Sequence, residues 1–158
     1  GTAAAKAVLG EPWYRDPDGD GTLEMHPTWK DTYLTAGRVL LDATIPIRAH
    51  CHVGVVGDLS AALAEVAAAG LASAIDVGNT NTYGGCYAPR LSRISGFLSR
   101  HAYAMAIDMN TVSNCQGCTP RMNCDVVRIF RKHGFAWGGN FRRPDGMHFE
   151  YRREPAGS

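Results

Sequence analysis

The sequence has no uninterrupted apolar stretch of about 18 residues, roughly the shortest length that crosses a membrane as a helix. It also has no excess of charge of either sign, since 16 lysines and arginines face 15 aspartates and glutamates. A net charge of +1 gives no long-range attraction to nucleic acid or to an anionic membrane. Internal repeats and low-complexity segments are missing, and residues 1–10 lack the basic-then-apolar layout of a signal peptide. These absences argue against a membrane-spanning, nucleic-acid-binding or repeat protein.

The length of 158 residues and the hydrophobic content of 45% predict one domain with a single core. Residues 1–37 show no clear hydrophobic period, but their tryptophans and tyrosines favour an N-terminal arm that packs onto a domain of residues 38–158. We expect a monomer. Arginines concentrate late in the chain, a pattern typical of a solvated surface. They are Arg142, Arg143, Arg152 and Arg153.

Five cysteines in one small domain favour an oxidising compartment, and the odd number leaves at least one thiol without an intramolecular partner. Cys51 precedes a predicted helix that returns toward Cys86, so this pair is the preferred first disulfide. The other three cysteines share one short span: Cys115, Cys118 and Cys124. Two of them can form a second disulfide, although a zinc knuckle completed by His133, or free thiols, are alternatives.

An acidic turn runs from Asp16 to Glu24 and begins like a calcium-binding loop, with oxygen ligands at alternate positions and a glycine at the sharp turn. The twelfth position of such a loop is a bidentate glutamate, whereas this chain has Pro27 there. The pattern therefore favours a polar turn, and a calcium-binding domain stapled by disulfides is the least favoured function.

Hydrophobic periodicity predicts both helices and strands. Apolar residues at i, i+3, i+4 and i+7 predict a helix from Asp58, as N-cap, to Gly70, and a second helix is predicted over about 124–133, ending at Gly134. Strands are predicted within 38–56 with an interruption at Pro46, at 71–77, at 104–110 and at 147–151, with loops at 78–89 and 111–123. These elements indicate an α+β fold with helices packed on a small, mostly antiparallel sheet.

Two short segments contain side chains that bind metals and transfer protons. In the first, His101 and Asp108 bracket the start of a predicted strand, so both can face one point. In the second, Asp145 lies three residues before His148, where its carboxylate can accept a proton from a metal-bound water. A catalytic zinc site needs three protein ligands and one open position. Each spacing alone is a weak signal, because single histidines are more often structural or solvated.

In this order, the two segments resemble the M15 family of zinc peptidases, which includes D-Ala-D-Ala carboxypeptidases, the VanX and VanY enzymes and phage endolysins. The family pattern is Ser-x-His-x-x-Gly-x-Ala-x-Asp followed by Glu/Asp-x-x-His, matched by Ser99, His101, Ala106, Asp108, Asp145 and His148. Further matches are Gly84-Gly85-Cys86-Tyr87-x-Pro89-Arg90, Gly134-Phe135-x-Trp137-Gly138-Gly139 and Met147-His148-Phe149-Glu150. The resemblance spans Arg48 to Tyr151, and it departs from the pattern at Ala104, where the family has glycine. Asp145 in place of glutamate resembles the L-Ala-D-Glu peptidase branch.

The resemblance implies a fold like that of hedgehog and the D-Ala-D-Ala peptidases, and a bound zinc ion. The implied metal ligands are His101, Asp108 and His148. The implied catalytic residues are Asp145, as proton carrier, and Arg90, as the group that stabilises the oxyanion. The implied substrate-binding residues are Ser99, Trp137 and Tyr83. Glu150 is expected to orient the imidazole of His148 rather than to carry the proton.

The implied function is a zinc-dependent peptidase that cleaves peptidoglycan stem or cross-link peptides at a bond involving a D-amino acid. Either a carboxypeptidase or an endopeptidase fits, acting outside the cell or in the wall, as a secreted or a phage-delivered enzyme. The alternative is a zinc-containing binding module of the same fold without turnover, as in the hedgehog signalling domain. Asp145 together with Arg90 favours the enzyme, because a binding module has no need of a proton carrier.

Overall fold

The computed structural model describes residues 14–79, 81–92, 96 and 98–152, and the structural statements that follow concern these residues. The helices are α1 (Pro27–Tyr33), α2 (Val56–Ala68) and α3 (Cys124–Lys132). The strands are β1 (Tyr14–Arg15), β2 (Glu24–Met25), β3 (Val39–Leu40), β4 (Arg48–Ala49), β5 (Tyr83–Gly85), β6 (Ala106–Met109), β7 (Phe135–Trp137) and β8 (His148–Tyr151). Short 3-10 helices lie at Ala72–Ala74, Arg100–Tyr103 and Gly138–Asn140. The predicted α+β fold is confirmed.

The largest sheet has four antiparallel strands in the order β5-β6-β8-β7. Strand β6 lies inside it, with Asp108 opposite Gly84 of β5 on one side and opposite His148 of β8 on the other. Two smaller antiparallel pairs, β1-β2 and β3-β4, complete the strands. The pairing of β6 with β8 joins the two sequence segments that carry the candidate ligands.

The core lies between this sheet and the two longer helices. Helix α2 buries its predicted stripe of Leu59, Ala62, Leu63 and Val66 completely. Helix α3 contacts α2 and β7, and its Phe130 ring lies 5.5 Å from the ring of Phe135 and 4.8 Å from that of Phe149. Such close, tilted aromatic contacts fix the helix against the sheet.

The predicted helix ends are right at their C-termini and wrong at one N-terminus. Gly70 and Gly134 follow α2 and α3 with φ of 77° and 95°, a left-handed conformation that favours glycine. Asp58 is not the N-cap of α2, which begins at Val56. Its carboxylate instead lies in the first turn and accepts a hydrogen bond from the Tyr151 hydroxyl at 2.5 Å, while its charge also suits the helix N-terminus.

Two further predictions for the elements are wrong. Residues 71–77 do not form a strand, because the side chain of Asn110 occupies backbone groups that would otherwise pair with a neighbouring strand. The Asn110 amide donates to Ala74 O at 2.8 Å, and its oxygen accepts from Asp76 N at 2.7 Å. Residues 83–85, predicted as part of a loop, form edge strand β5. The two glycines lowered its apparent strand propensity.

The part of the N-terminal arm that the structure describes contributes to the core. Its buried side chains are Leu23, Met25, Trp29 and Leu34, and Leu23 N donates to Pro89 O at 2.9 Å. In the acidic turn, carboxylates of Asp16 and Asp20 accept hydrogen bonds from backbone amides, as expected of a polar turn. Residues 1–13 lie outside the described residues, and the domain boundary at residue 38 stays a prediction.

The cysteines form the preferred pair, Cys51–Cys86, and a second bond, Cys115–Cys118, while Cys124 is free and exposed. The zinc-knuckle alternative is wrong, because two of its thiols are bonded to each other and His133 Nε2 lies 3.1 Å from Glu65 Oε1. Within the described residues, no helix has the length and apolar character needed to cross a membrane.

Candidate metal centre and active site

Three side chains converge from three elements: His101 from the 3-10 helix, Asp108 from β6 and His148 from β8. Each offers a ligand atom, and these atoms lie within 4.8 Å of one another. The register of β6 and β8 sets Asp108 opposite His148. His101 reaches the same point because Ala104, with φ of 56° and ψ of 36°, turns the chain sharply between the 3-10 helix and β6. The spacing suits one metal ion.

The hydrogen bonds around His101 leave one of its nitrogens directed at the centre. Nδ1 lies 3.0 Å from Cys86 O, and since a carbonyl only accepts, Nδ1 carries the proton. Nε2 is buried and lacks a hydrogen bond, although it lies 3.3 Å from Asp108 Oδ2. Because Nδ1 carries the proton, Nε2 has a lone pair and no proton to donate to this carboxylate, so the short distance is not a hydrogen bond. A buried nitrogen without a partner is unfavourable, and a metal ion would satisfy it.

The ring of His148 is held between two carboxylates. Nδ1 lies 3.2 Å from Asp108 Oδ1, and Nε2 lies 3.0 Å from Glu150 Oε1. Burial lowers the pKa of His148, but the hydrogen bonds to the two carboxylates outweigh it and raise this pKa to about 9. Burial raises the pKa of Asp108, yet the two histidines beside it, His101 and His148, hold it well below its usual range. In the metal-free protein, Asp108 and His148 therefore form an ion pair at neutral pH.

Glu150 is the better buried of the two carboxylates beside His148, and two arginines neutralise it. Its Oε2 lies 2.7 Å from Arg152 Nε and 3.3 Å from Arg100 Nε. Burial raises the pKa of Glu150, but the bond to His148 and the nearby positive charges leave it lowered. An ionised Glu150 fixes the ring orientation of His148 by accepting from Nε2, which leaves Nδ1 for the centre.

Asp145 occupies the turn that leads into β8. His148 N donates to Asp145 O at 3.1 Å, which closes the turn, and Asp145 N donates to Gly138 O at 2.9 Å. The carboxylate is partly buried and faces the same cleft as the three candidate ligands. Its pKa is raised, chiefly by burial and also by the charge of Asp108, while His148 acts in the opposite direction. A raised carboxyl pKa beside a candidate metal centre suits a group that exchanges protons.

Two glycines allow the close approach of backbone and ligands. A Cβ on Gly85, whose φ is 108°, would lie 2.8 Å from Ala106 O and 3.4 Å from His101 Nδ1. A Cβ on Gly138 would overlap Asp145 O and lie 3.0 Å from the Cβ of His148. One glycine of each pair, Gly85 in the first motif and Gly138 in the second, therefore has a steric purpose beside the centre.

The centre opens into a cleft of about 1310 Å³. Its lining residues include the three candidate ligands, Asp145 and Glu150. They also include Arg90, predicted to be catalytic, and Ser99, predicted to bind substrate. Ser99 Oγ also accepts from His101 N at 3.2 Å, which caps the 3-10 helix. Trp137 and Tyr83 do not line the described part of the cleft, and Trp137 Nε1 donates to Gly146 O at 2.8 Å. Their role in substrate binding stays a prediction.

Sequence reasoning missed other groups at the cleft. Phe141 lines it, with its ring 5.9 Å from the ring of His148. Arg142 and Arg143, interpreted from sequence as a solvated surface, are exposed but lie on its wall. The signal for all three was their position just before Asp145, which no hydrophobic period marks.

Comparison with known proteins supports the same segment. Residues 93–151 match the family model described as D-alanyl-D-alanine carboxypeptidase, and this stretch contains the three candidate ligands and Asp145. Neither the curated proteins nor the solved structures give a match. The family match indicates a peptidase and confirms the resemblance of this chain to the M15 peptidases.

Proposed function

We propose that this chain is a zinc-dependent peptidase that cleaves peptidoglycan stem or cross-link peptides at a bond involving a D-amino acid. The observation that carries the proposal is the convergence of His101, Asp108 and His148 in one cleft with Asp145. The match to a D-alanyl-D-alanine carboxypeptidase model supports the substrate class. The two disulfides are compatible with the oxidising surroundings in which a secreted or phage-delivered wall enzyme works.

The donor set fits zinc. Two imidazole nitrogens and one carboxylate oxygen are zinc ligands of the catalytic type, in which a fourth position stays open. The unsatisfied Nε2 of His101 and the backbone carbonyl that fixes its tautomer support this assignment. When bound, zinc lowers the pKa of a coordinated water and polarises a carbonyl group.

Three other residues in the cleft transfer the proton, stabilise the oxyanion and position His101. Asp145 accepts the proton of the attacking water and delivers it to the departing nitrogen, a role that suits its raised pKa. Arg90 lines the same cleft and supplies a positive charge for the developing oxyanion. Ser99 fixes the backbone of His101 through its hydroxyl, and its place on the wall allows contact with the substrate.

The test is mass spectrometry of muropeptides incubated with the zinc-loaded protein. We expect new products whose masses locate one cleaved bond, and no products after removal of the metal by a chelator. Readdition of zinc should restore them. If the zinc-loaded protein releases no product from any wall peptide while retaining its metal, the binding module without turnover becomes the better description.

A further inference from the structure

The wall of the cleft carries a pair of arginines without a carboxylate partner in the described part of the chain. We propose that Arg142 and Arg143 bind a free carboxylate of the peptide substrate close to the scissile bond, so that the enzyme selects anionic peptides over their amidated forms. This inference rests on the proposed peptidase function and specifies its substrate class.

The backbone that carries these arginines is anchored on three sides. Gly138 O accepts from Phe141 N at 3.0 Å and from Asp145 N at 2.9 Å, and Pro144 O accepts from Gly117 N at 2.6 Å. Trp137 Nε1 holds the next turn through Gly146 O. The arginines therefore project from a fixed segment, which reduces the entropy lost when a ligand orders them.

The Cys115–Cys118 loop supports Arg143 directly. A Cβ on Gly117 would lie 3.3 Å from Arg143 Nη2, so the guanidinium rests against the bare backbone of this loop. Gly117 has φ of 83°, a conformation that also favours glycine. The disulfide-closed loop and the arginine segment thus form one wall of the cleft.

This wall lies beside the proposed reaction centre. Arg142 and Arg143 follow Phe141, whose ring contacts that of His148, and they precede Asp145 by two or three positions. A group bound by these arginines is therefore near the bond that Asp145 would help to cleave. That proximity distinguishes a substrate contact from a remote surface charge.

The charges of the cleft favour an anion. Four arginines line it, with three carboxylates. Asp108 is engaged by two histidines, and Glu150 by His148, Arg100 and Arg152. A divalent metal ion at the centre would make the excess of positive charge larger. An excess of positive charge in a cleft attracts anionic ligands, and guanidinium groups bind carboxylates with two parallel hydrogen bonds.

Stem peptides carry such carboxylates in two places, at the α-carbon of a γ-linked D-glutamate and at the C-terminus. Four synthetic tetrapeptides separate the two sources: one with both carboxylates free, two with one of them amidated, and one with both amidated. The kcat/KM of each is measured by chromatography of the products, using the zinc-loaded parent, an Arg142→Gln/Arg143→Gln variant, and an Arg38→Gln/Arg131→Gln control with the same charge change outside the cleft.

We expect the parent to prefer the free acid over one of the singly amidated peptides by about tenfold or more, as for a lost charged hydrogen bond. In the Arg142→Gln/Arg143→Gln variant this preference should disappear, while the kcat/KM for the amidated peptide should equal that of the parent. In the Arg38→Gln/Arg131→Gln control the preference should remain. Equal rates on all four peptides in the parent, or a preference that survives in the cleft variant, would overturn the inference while the peptidase remains. Cleavage of none of the four peptides overturns the inference, and if muropeptides are also left intact, the proposed function fails with it. The zinc content of each variant shows that its site is intact.

Discussion

Asp145 and Glu150 both lie beside His148, but their surroundings shift their pKa values in opposite directions. Asp145 has no arginine within ion-pair distance among the described residues, and burial raises its pKa. Glu150 is held by Arg152 at 2.7 Å and by Arg100 at 3.3 Å, and its pKa is lowered. Pairs of carboxylates with divergent pKa values commonly divide proton transfer and electrostatic support between them. Here Asp145 is the group suited to exchange a proton, and Glu150 the group suited to remain charged.

The first prediction concerns Asp145→Asn, which preserves shape and loses the base. Turnover of a muropeptide should fall by about 10²-fold or more, as for a lost general base, while one zinc per chain is retained, because Asp145 is not a proposed ligand. Product formation and elemental analysis measure the two quantities. Asp125→Asn, an exposed change on α3, is the control and should keep the parental rate. Full activity in Asp145→Asn with loss in Glu150→Gln would show that the roles are reversed.

The second prediction concerns Glu150→Gln. The amide keeps a hydrogen bond to His148 Nε2 but removes the charge that raises the basicity of the ring, so zinc affinity should fall by roughly 10–100-fold. Competition with a chromogenic chelator measures the affinity. Glu65→Gln is the matched control, since Glu65 also binds a histidine, His133, but away from the cleft. Equal zinc affinity in the parent and in Glu150→Gln would exclude the positioning role.

At the scale of elements, the sequence predicted those with a strong period and missed those that depend on a distant partner. Helices α2 and α3 have clear apolar stripes and terminal glycines, so both were found. Strand β5 was missed because its glycines have low strand propensity, and only the contact with β6 and His101 shows why they are needed. The predicted strand at 71–77 does not form, because the side chain of Asn110, far along the chain, hydrogen-bonds to the backbone of this segment.

The third prediction compares Gly85→Ala with Gly84→Ala on strand β5. At Gly85, a methyl group meets Ala106 O and the His101 ring, at a φ of 108°, so the free energy of unfolding should fall by about 2–3 kcal/mol or more. At Gly84, a methyl group has nothing within 4 Å, and the change should stay under about 1 kcal/mol. Urea denaturation gives both values. Equal losses of unfolding free energy in the two variants would mean that Gly85 of β5 is not in close contact with the His101 ring.

The fourth prediction concerns the disulfides. Cys51–Cys86 joins residues separated by 35 positions, one shortly after β4 and one just after β5, whereas Cys115 and Cys118 are 3 positions apart. Chain entropy predicts a loss of roughly 4 kcal/mol when the first bond is removed and roughly 1–2 kcal/mol for the second. Denaturation of Cys51→Ala/Cys86→Ala and Cys115→Ala/Cys118→Ala tests this order. A larger loss for the second pair would show that its loop has a structural role beyond chain closure.

For the whole molecule, the sequence predicted which residues belong to the candidate centre better than it predicted their surroundings. The ordered motifs mark His101, Asp108, Asp145 and His148, and the structure brings all four to one cleft. The position of Arg142 and Arg143 on the cleft wall could not be predicted, because it depends on a hydrogen bond from Gly117 N, in a different loop, to Pro144 O. Hydrophobic periods carry no information about contacts between two polar loops.

The fifth prediction concerns the dependence of stability on pH, with and without metal. In the metal-free protein, His148 has a pKa of about 9, above its ordinary value of about 6.5. Its contribution to stability is therefore complete below about pH 6.5 and lost as the pH rises through about 9. Asp108, whose pKa is lowered, contributes above its ordinary value of about 3.9, and this part is lost as the pH falls through and below it. These shifts describe the same ion pair, which should stabilise the metal-free protein most between about pH 4 and 6.5.

The proposed zinc ion would change this profile because it requires a neutral imidazole. Its binding would displace the proton of His148 and become stronger as the pH rises toward about 9, so the increase in Tm caused by zinc should grow between pH 6.5 and 9. Thermal unfolding at fixed zinc concentration measures it. His148→Gln should abolish both the decline of the metal-free protein over this range and the stabilisation by zinc, whereas His133→Gln, whose ring pairs with Glu65 outside the cleft, should keep both. A zinc-induced shift in Tm that is the same at pH 6.5 and pH 9 would contradict the assignment of His148 as a ligand that exchanges its proton for the metal.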